Sequence, residues 1–295
     1  MSSRDRIWRL IGLLLLAFAL SRINLGQTAL RVVHARPEYL VVAVASTAPL
    51  VAVRAWRLQV ILAGVGIVLP FRQVLTLRIV TSAAGDATPG RLGEFGAAAY
   101  LRRAGYSASK AALAVLIDRG LDGAVFALTA IATVFRISDF GFRISDFSLG
   151  VGSLQSIASQ SEIRNSKFEI RNWVGAGLLS VVAFFLLVFR AYCLALALDI
   201  PISFFALAGV VAISTFVQLL PISVLGIGSR DVSLLYLFHR LGLPASSAIG
   251  LSWLVLAMLV LQLLVGAGVW IRYPLRFSNP LSVTSDQDSD EKHSA

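Results

Sequence analysis

Along this chain apolar residues gather in long runs instead of alternating one by one. Runs near 7–23, 39–62, 72–88, 110–134, 173–199, 203–220 and 246–271 predict helices, and 222–240 forms a further apolar piece broken by glycine. Several approach the roughly 17–25 residues that a membrane-crossing helix needs. Membrane-spanning strands would show an apolar period of two, which these runs lack. The pattern therefore predicts an all-α, polytopic transmembrane helix bundle of about 6–8 spans. A basic start, an apolar run and Ala17-Phe18-Ala19 also give the N-terminus some character of a signal peptide. The membrane-embedded sequence that follows favours a retained first span.

Two stretches depart from the pattern. The segment 72–88 carries Arg78, Thr81, Ser82, Asp86 and Thr88. These groups are costly against lipid, so other helices or a wet cavity should shield them. The stretch 135–172 reads as a polar insert. FRISDF occurs at 135–140 and 142–147, and EIRN at 162–165 and 169–172. One coding of FRISDF, TTT CGG ATT TCG GAT TTC, has a reverse complement that translates as Glu-Ile-Arg-Asn-Pro-Lys. The chain has Glu162-Ile163-Arg164-Asn165-Ser166-Lys167, a single base from that string. The insert is thus expected to be a translated inverted repeat forming a solvent-side loop without function. An amphipathic β-hairpin or an ordinary polar loop is the alternative. The domain reading is a transmembrane unit over 1–276 that contains this insert, then a disordered polar, acid-rich tail over 277–295.

Composition agrees with the membrane reading. Of the 295 residues, 57% are hydrophobic and 14% charged, and mean hydropathy is +0.79, whereas soluble chains run nearer 25% charged. The net charge of +10 suits arginines flanking spans beside anionic headgroups. Nucleic-acid binding is not expected, because no basic run is interleaved with aromatics. Cys193 stands alone, which excludes an intrachain disulfide, and His34, His239 and His293 lack metal-ligand spacing. Positive residues flank both ends of the first span, so orientation stays open.

The ionisable groups concentrate between residues 88 and 123. Pro89 and Gly90 end a helix, and Arg91 and Glu94 follow three residues apart, close enough to pair. Asp118, Arg119 and Asp122 lie inside the next apolar run. Arg119 and Asp122 can neutralise each other, which leaves Asp118 to seek Arg91, Arg230 or a bound cation. A salt-bridge knot and a ligand site are equally good readings of this triad. Arg102, Arg103 and Lys110 are expected to be headgroup-facing anchors. Residues 94–111 match 231–248 at an offset of 137: Glu94 falls on Asp231, Arg103 on Arg240, Gly105 on Gly242, Ala108 on Ala245, Ser109 on Ser246 and Ala111 on Ala248. A Pro/Gly-broken stretch precedes each copy and a long apolar helix follows. This suggests an inverted repeat with broken helices meeting near the midplane, as in many transporters. GIGSRD at 226–231 lacks the third glycine and the βαβ context of a nucleotide loop. No Ser-His-Asp or metal pattern appears, so neither a catalytic residue nor a cofactor is expected, although intramembrane chemistry on a lipid-linked substrate stays open.

PGRLGEFGAAAYLRR, LIDRGLDG and LLPISVLGIGSRDVSLLYLFHRLGL, in that order, resemble the transmembrane region of lysylphosphatidylglycerol synthases and the related flippase-like membrane proteins. The match to that pattern runs through Pro89, Arg91, Gly93, Glu94, Asp118, Arg119, Pro221, Ser223, Gly226, Gly228 and Arg230. It departs at Asp231, where the family usually has Glu, and at the insert. With a short polar tail after the last span, no counterpart of the soluble aminoacyl-transfer domain is expected, and synthase activity is not implied. The resemblance implies a cell-membrane protein that binds or translocates an anionic or lipid-linked phosphate headgroup. Its implied partners are membrane phospholipids or polyprenyl-phosphate-linked lipids. Arg91 and Arg230 would engage the phosphate; Glu94, Asp231 and Asp118 would balance them or meet an amine on the headgroup, and Arg119 completes the site. An accessory or catalytic factor in polyprenyl-phosphate-linked glycan assembly is the alternative, and a purely structural scaffold a third reading.

The insert is tested by the gene itself. The codons for 135–147 and 162–172 are expected to be near-complementary when one arm is inverted; unrelated codons would refute a repeat origin.

Overall fold

The computed structural model describes residues 35–137, 170–218 and 228–272. The first expected span, 7–23, the repeat arms between 138 and 169, the motif residues Pro221, Ser223 and Gly226, and the tail all lie outside those residues. Every element within them is helical. The insert was expected to begin at 135 and end at 172, but both margins are helical: residues 135–137 complete one long helix and 170–172 begin another.

The apolar run at 39–62 forms α1 (Pro37–Ala45) and α2 (Thr47–Gly64), separated only by a turn at Ser46. Next comes α3 (Phe71–Asp86), then a 3-10 segment (Pro89–Phe95) and the short α4 (Gly96–Arg103). The remaining helices are α5 (Ala108–Ile137), α6 (Ile170–Ala197), α7 (Phe204–Gln218), α8 (Ser229–Arg240) and α9 (Ala245–Arg272). Among the described residues three stretches can cross a membrane by length and composition: Pro37–Gly64, Val174–Ala197 and Ala245–Arg272. At 1.5 Å per residue, the 30 residues of α5 are also long enough, but that helix carries Asp118, Arg119 and Asp122 in its interior. Large apolar side chains such as Val41, Leu128, Leu178, Phe205 and Leu264 point outward, as suits a surface bathed in lipid.

Contacts fix how the helices run. The Arg36 N–H donates to the Ala197 carbonyl at 2.9 Å, and Arg57 donates to Ser180 Oγ at 3.0 Å. The α1–α2 rod and α6 are therefore antiparallel. Segment α3–α4 is a hairpin: Leu77 and Leu101 share one apolar cluster with Leu62, Val115 and Ala176. Lys110 Nζ, at the start of α5, sits 3.7 Å from where a Cβ on Gly66 would be. The hairpin thus opens where α2 ends. In the second half Leu207 and Phe238 share a separate cluster with Leu198 and Leu251, so α7 and α8 open where α6 ends, at the opposite end of the bundle. Each hairpin leans on the other half's long helix, α3 against α9 and α7 against α5.

Both hairpins close in the same way. Gly105 (φ 90°) and Gly242 (φ 70°) adopt a left-handed conformation that costs a residue with a Cβ roughly 1–2 kcal/mol. Behind them Tyr106 N–H reaches Leu101 O at 3.1 Å, and Leu243 N–H reaches Phe238 O at 2.8 Å. Both bonds belong to the same helix-ending motif, 137 residues apart.

The tip of the first hairpin depends on the absence of side chains. A Cβ on Gly93 would overlap the Ala84 carbonyl, and one on Gly85 would overlap the Glu94 side chain, whereas a Cβ on Gly96 would meet open space. Gly93→Ala is therefore expected to destabilise by about 1–3 kcal/mol and Gly96→Ala to be neutral or stabilising. Thermal unfolding in detergent measures both, and equal behaviour would contradict this account of the tip.

Candidate functional site

The charged side chains of the first half converge inside the bundle. Arg57 comes from α2, Arg78 and Asp86 from α3, Arg91 and Glu94 from the 3-10 tip, and Asp118, Arg119 and Asp122 from α5. Helical spacing puts Asp118 and Asp122 on one face of α5. Arg57, fully buried, meets both: Nη2 lies 2.7 Å from Asp118 Oδ1, and Nη1 pairs with Asp122 Oδ1. Arg78 Nη1 lies 3.0 Å from Asp118 Oδ2 and 3.7 Å from Glu94 Oε2. Arg119 pairs with Glu94, with Asp118 at 2.6 Å and with Asp122 at 3.1 Å. Arg91 closes the chain, 3.1 Å from Asp86 and 2.7 Å from Glu94.

Backbone geometry serves this arrangement. Gly90 and Arg91 both have positive φ, 60° and 57°. For arginine that conformation is strained. It turns the chain back on α3, so Arg91 can meet Asp86 and Glu94 together. Thr88 Oγ1 accepts the Gly93 N–H, which pins the tight turn.

The second half carries a smaller constellation. At Gly228 (φ 88°) α8 begins, and the Asp231 carboxylate accepts the Gly228 N–H at 2.9 Å. Ser252 on α9 donates to Asp231 Oδ1 and accepts from Arg230 Nε, the latter at 2.9 Å. Asp231 is thus long enough to cap its own helix and hold Ser252, despite being one methylene shorter than Glu.

Between the halves lies a cavity of about 400 Å³. Among the described residues five arginines line it, Arg54, Arg91, Arg119, Arg190 and Arg230, with Asp86 and Asp122 as the acids. Ser214, Thr215, Gln218 and Gln262 add uncharged polar groups, and Phe126, Leu194, Leu207, Val211, Leu251 and Met258 supply apolar wall. The arrangement can take an amphipathic ligand: an anionic group against the arginines and hydrocarbon against the rest.

The structure brings Arg91, Arg119 and Arg230 to this one cavity, along with Gly90. Glu94, Asp118 and Asp231 are buried and do not line it. Gly93 packs at the hairpin tip behind them. Arg91–Glu94 and Arg119–Asp122 are paired as their spacing suggests. Asp118 differs from expectation: its partners are Arg57, Arg78 and Arg119, not Arg91 or Arg230. Sequence reasoning passed over Arg54, Arg57 and Arg190. The available signal was an arginine inside an otherwise apolar run, which marks a partner or a ligand whenever it persists at membrane depth. Arg102, Arg103 and Lys110 are exposed.

The family model described as the lysylphosphatidylglycerol synthase TM region matches residues 9–151 and again 124–266. No curated protein matches the chain.

Removing one partner from the buried network should be costly because the others are left uncompensated. Asp118→Asn is expected to destabilise by about 3–5 kcal/mol. Arg36→Ala breaks the exposed pair with Asp199 and should change stability by less than about 1 kcal/mol. Denaturant unfolding in detergent checks both, and equal effects would show that the network carries no structural role.

Proposed function

The chain belongs to the lysylphosphatidylglycerol synthase transmembrane-region family and is an integral membrane protein, and from that premise we propose that it binds and translocates a lipid with an anionic phosphate headgroup. One observation carries the reading: a single cavity combines five arginines, two aspartates and an extensive apolar wall. Arginine suits phosphate because its planar fork donates two parallel hydrogen bonds. The apolar wall suits acyl or prenyl chains. Neither feature would serve a small hydrophilic anion as well as an amphipathic one.

The hairpins support translocation in particular. They open at opposite ends of the bundle and close with the same motif at an offset of 137 residues. We read them as an inverted repeat. Rocking one half against the other would present the cavity to each leaflet in turn, as in transporters built from such repeats. Arg91 and Arg230, one from each half, would then mark the shared site. The membrane is read as the cell membrane, and the activity as transport without bond chemistry.

Reconstituted vesicles carrying fluorescent phosphatidylglycerol in one leaflet test this proposal. Wild-type protein is expected to speed loss of leaflet asymmetry over empty vesicles. Arg91→Lys keeps the charge but loses the fork that joins Asp86 to Glu94 and holds the hairpin tip at the cavity; if a charge-assisted bond of about 1.5–3 kcal/mol is lost there, the rate should drop at least tenfold. No acceleration by wild type across phosphatidylglycerol, phosphatidic acid and polyprenyl phosphate would defeat the proposal.

A further inference from the structure

The ion-pair network has a simple charge balance. Its arginines are Arg57, Arg78, Arg91 and Arg119, and its carboxylates Asp86, Glu94, Asp118 and Asp122. Four positive charges against four negative leave zero. Arg230 and Asp231, 3.8 Å apart, also sum to zero. Two cavity arginines remain, Arg54 on α2 and Arg190 on α6. Neither makes an ion pair among the described residues. The carboxylates whose fields reach them are Asp122 and Asp86 for Arg54, and Asp86 for Arg190, and both already serve network arginines. Arg190 is only 8% exposed, and the buried Nε of Arg54 has no hydrogen-bond partner among the described residues. Ser214 Oγ, on the same cavity wall, is also buried without a partner there.

Two arginines without an ion pair among the described residues, and a hydroxyl without a hydrogen-bond partner there, line one cavity, and at membrane depth such groups favour an anionic partner. We propose that Arg54 and Arg190, with Ser214 as a further donor, select a headgroup bearing two net negative charges, a phosphomonoester or diphosphate. An aminoacylated headgroup, whose ammonium would add to the positive field, is selected against. This deepens the lipid reading above and rests on it. It assigns the discrimination to residues outside the recognisable motifs. Arg91 and Arg119 cannot turn fully to a ligand without abandoning a carboxylate, whereas Arg54 and Arg190 abandon nothing.

The test uses the full-length protein in detergent and native mass spectrometry with lipids of matched acyl chains: phosphatidic acid, phosphatidylcholine and lysylated phosphatidylglycerol. Wild type is expected to retain phosphatidic acid at least tenfold over phosphatidylcholine, with the lysylated lipid weakest. In R54Q/R190Q the preference should shrink to about twofold or less, while Tm holds or rises because two uncompensated charges are gone. A double variant that keeps the wild-type preference overturns the inference. So does a wild type that holds lipids without regard to charge, although general lipid binding then survives. Inorganic pyrophosphate, as the only added anion, should raise the Tm of wild type and not of R54Q/R190Q. A wild type that responds to pyrophosphate but retains no phosphatidic acid would overturn the lipid reading and leave the two-arginine site standing.

Discussion

The buried network of four arginines and four carboxylates is the constraint around which the first half of this protein is organised. A lone charge in hydrocarbon costs at least about 2.5–3.5 kcal/mol, so eight such groups persist only if nearly every one has a partner. Meeting that condition fixes the positions of several elements at once. Arg57 can reach Asp118, Asp122 and Ser180 only if α2, α5 and α6 meet at one depth. Glu94 can reach Arg78, Arg91 and Arg119 only if the hairpin tip folds back against α3 and faces α5. Lipid-facing apolar surface cannot provide this specificity, since hydrocarbon tails are as apolar as leucine. Such a network adds little net stability over a well-packed apolar core. What it supplies here is register.

How much of this was legible in the sequence depends on distance along the chain. Helix positions followed from apolar runs, because burial in lipid leaves a local trace. Arg119–Asp122 followed from spacing, because a helical turn brings residues three apart together; Arg91–Glu94 was expected on the same spacing, but it is the left-handed turn at Gly90 and Arg91 that brings that pair together. The pairing of Asp118 did not follow. Two of its three partners lie 61 and 40 positions away, where no local rule reaches; the third, Arg119, is its neighbour in the chain. Arg91, Arg230 or a bound cation were the partners expected for Asp118, but the fold pairs Arg91 with Asp86 and Glu94, and Arg230 with Ser252 and Asp231. The cavity was illegible for the same reason, since its wall is assembled from helices of both halves. Only the offset of 137 residues hinted that two distant breaks belong together.

The arginines divide by task, and the division follows from charge balance. Those of the recognisable motifs, Arg91, Arg119 and Arg230, line the cavity and also hold the broken elements in place through their carboxylate partners; Arg91 even accepts a strained backbone to do so. Arg54 and Arg190 lie on the two long antiparallel helices, away from any break, and among the described residues no carboxylate forms an ion pair with either. A motif-based reading assigns the ligand to the first group. A neutral network cannot lend an arginine to a ligand without exposing a buried carboxylate to the same low dielectric, and that carboxylate would then repel the incoming anion. On the lipid reading, the headgroup's charge is therefore met most cheaply by cations that the fold leaves over. The paired set then acts on the ligand indirectly, by holding those two helices and the cavity between them in place.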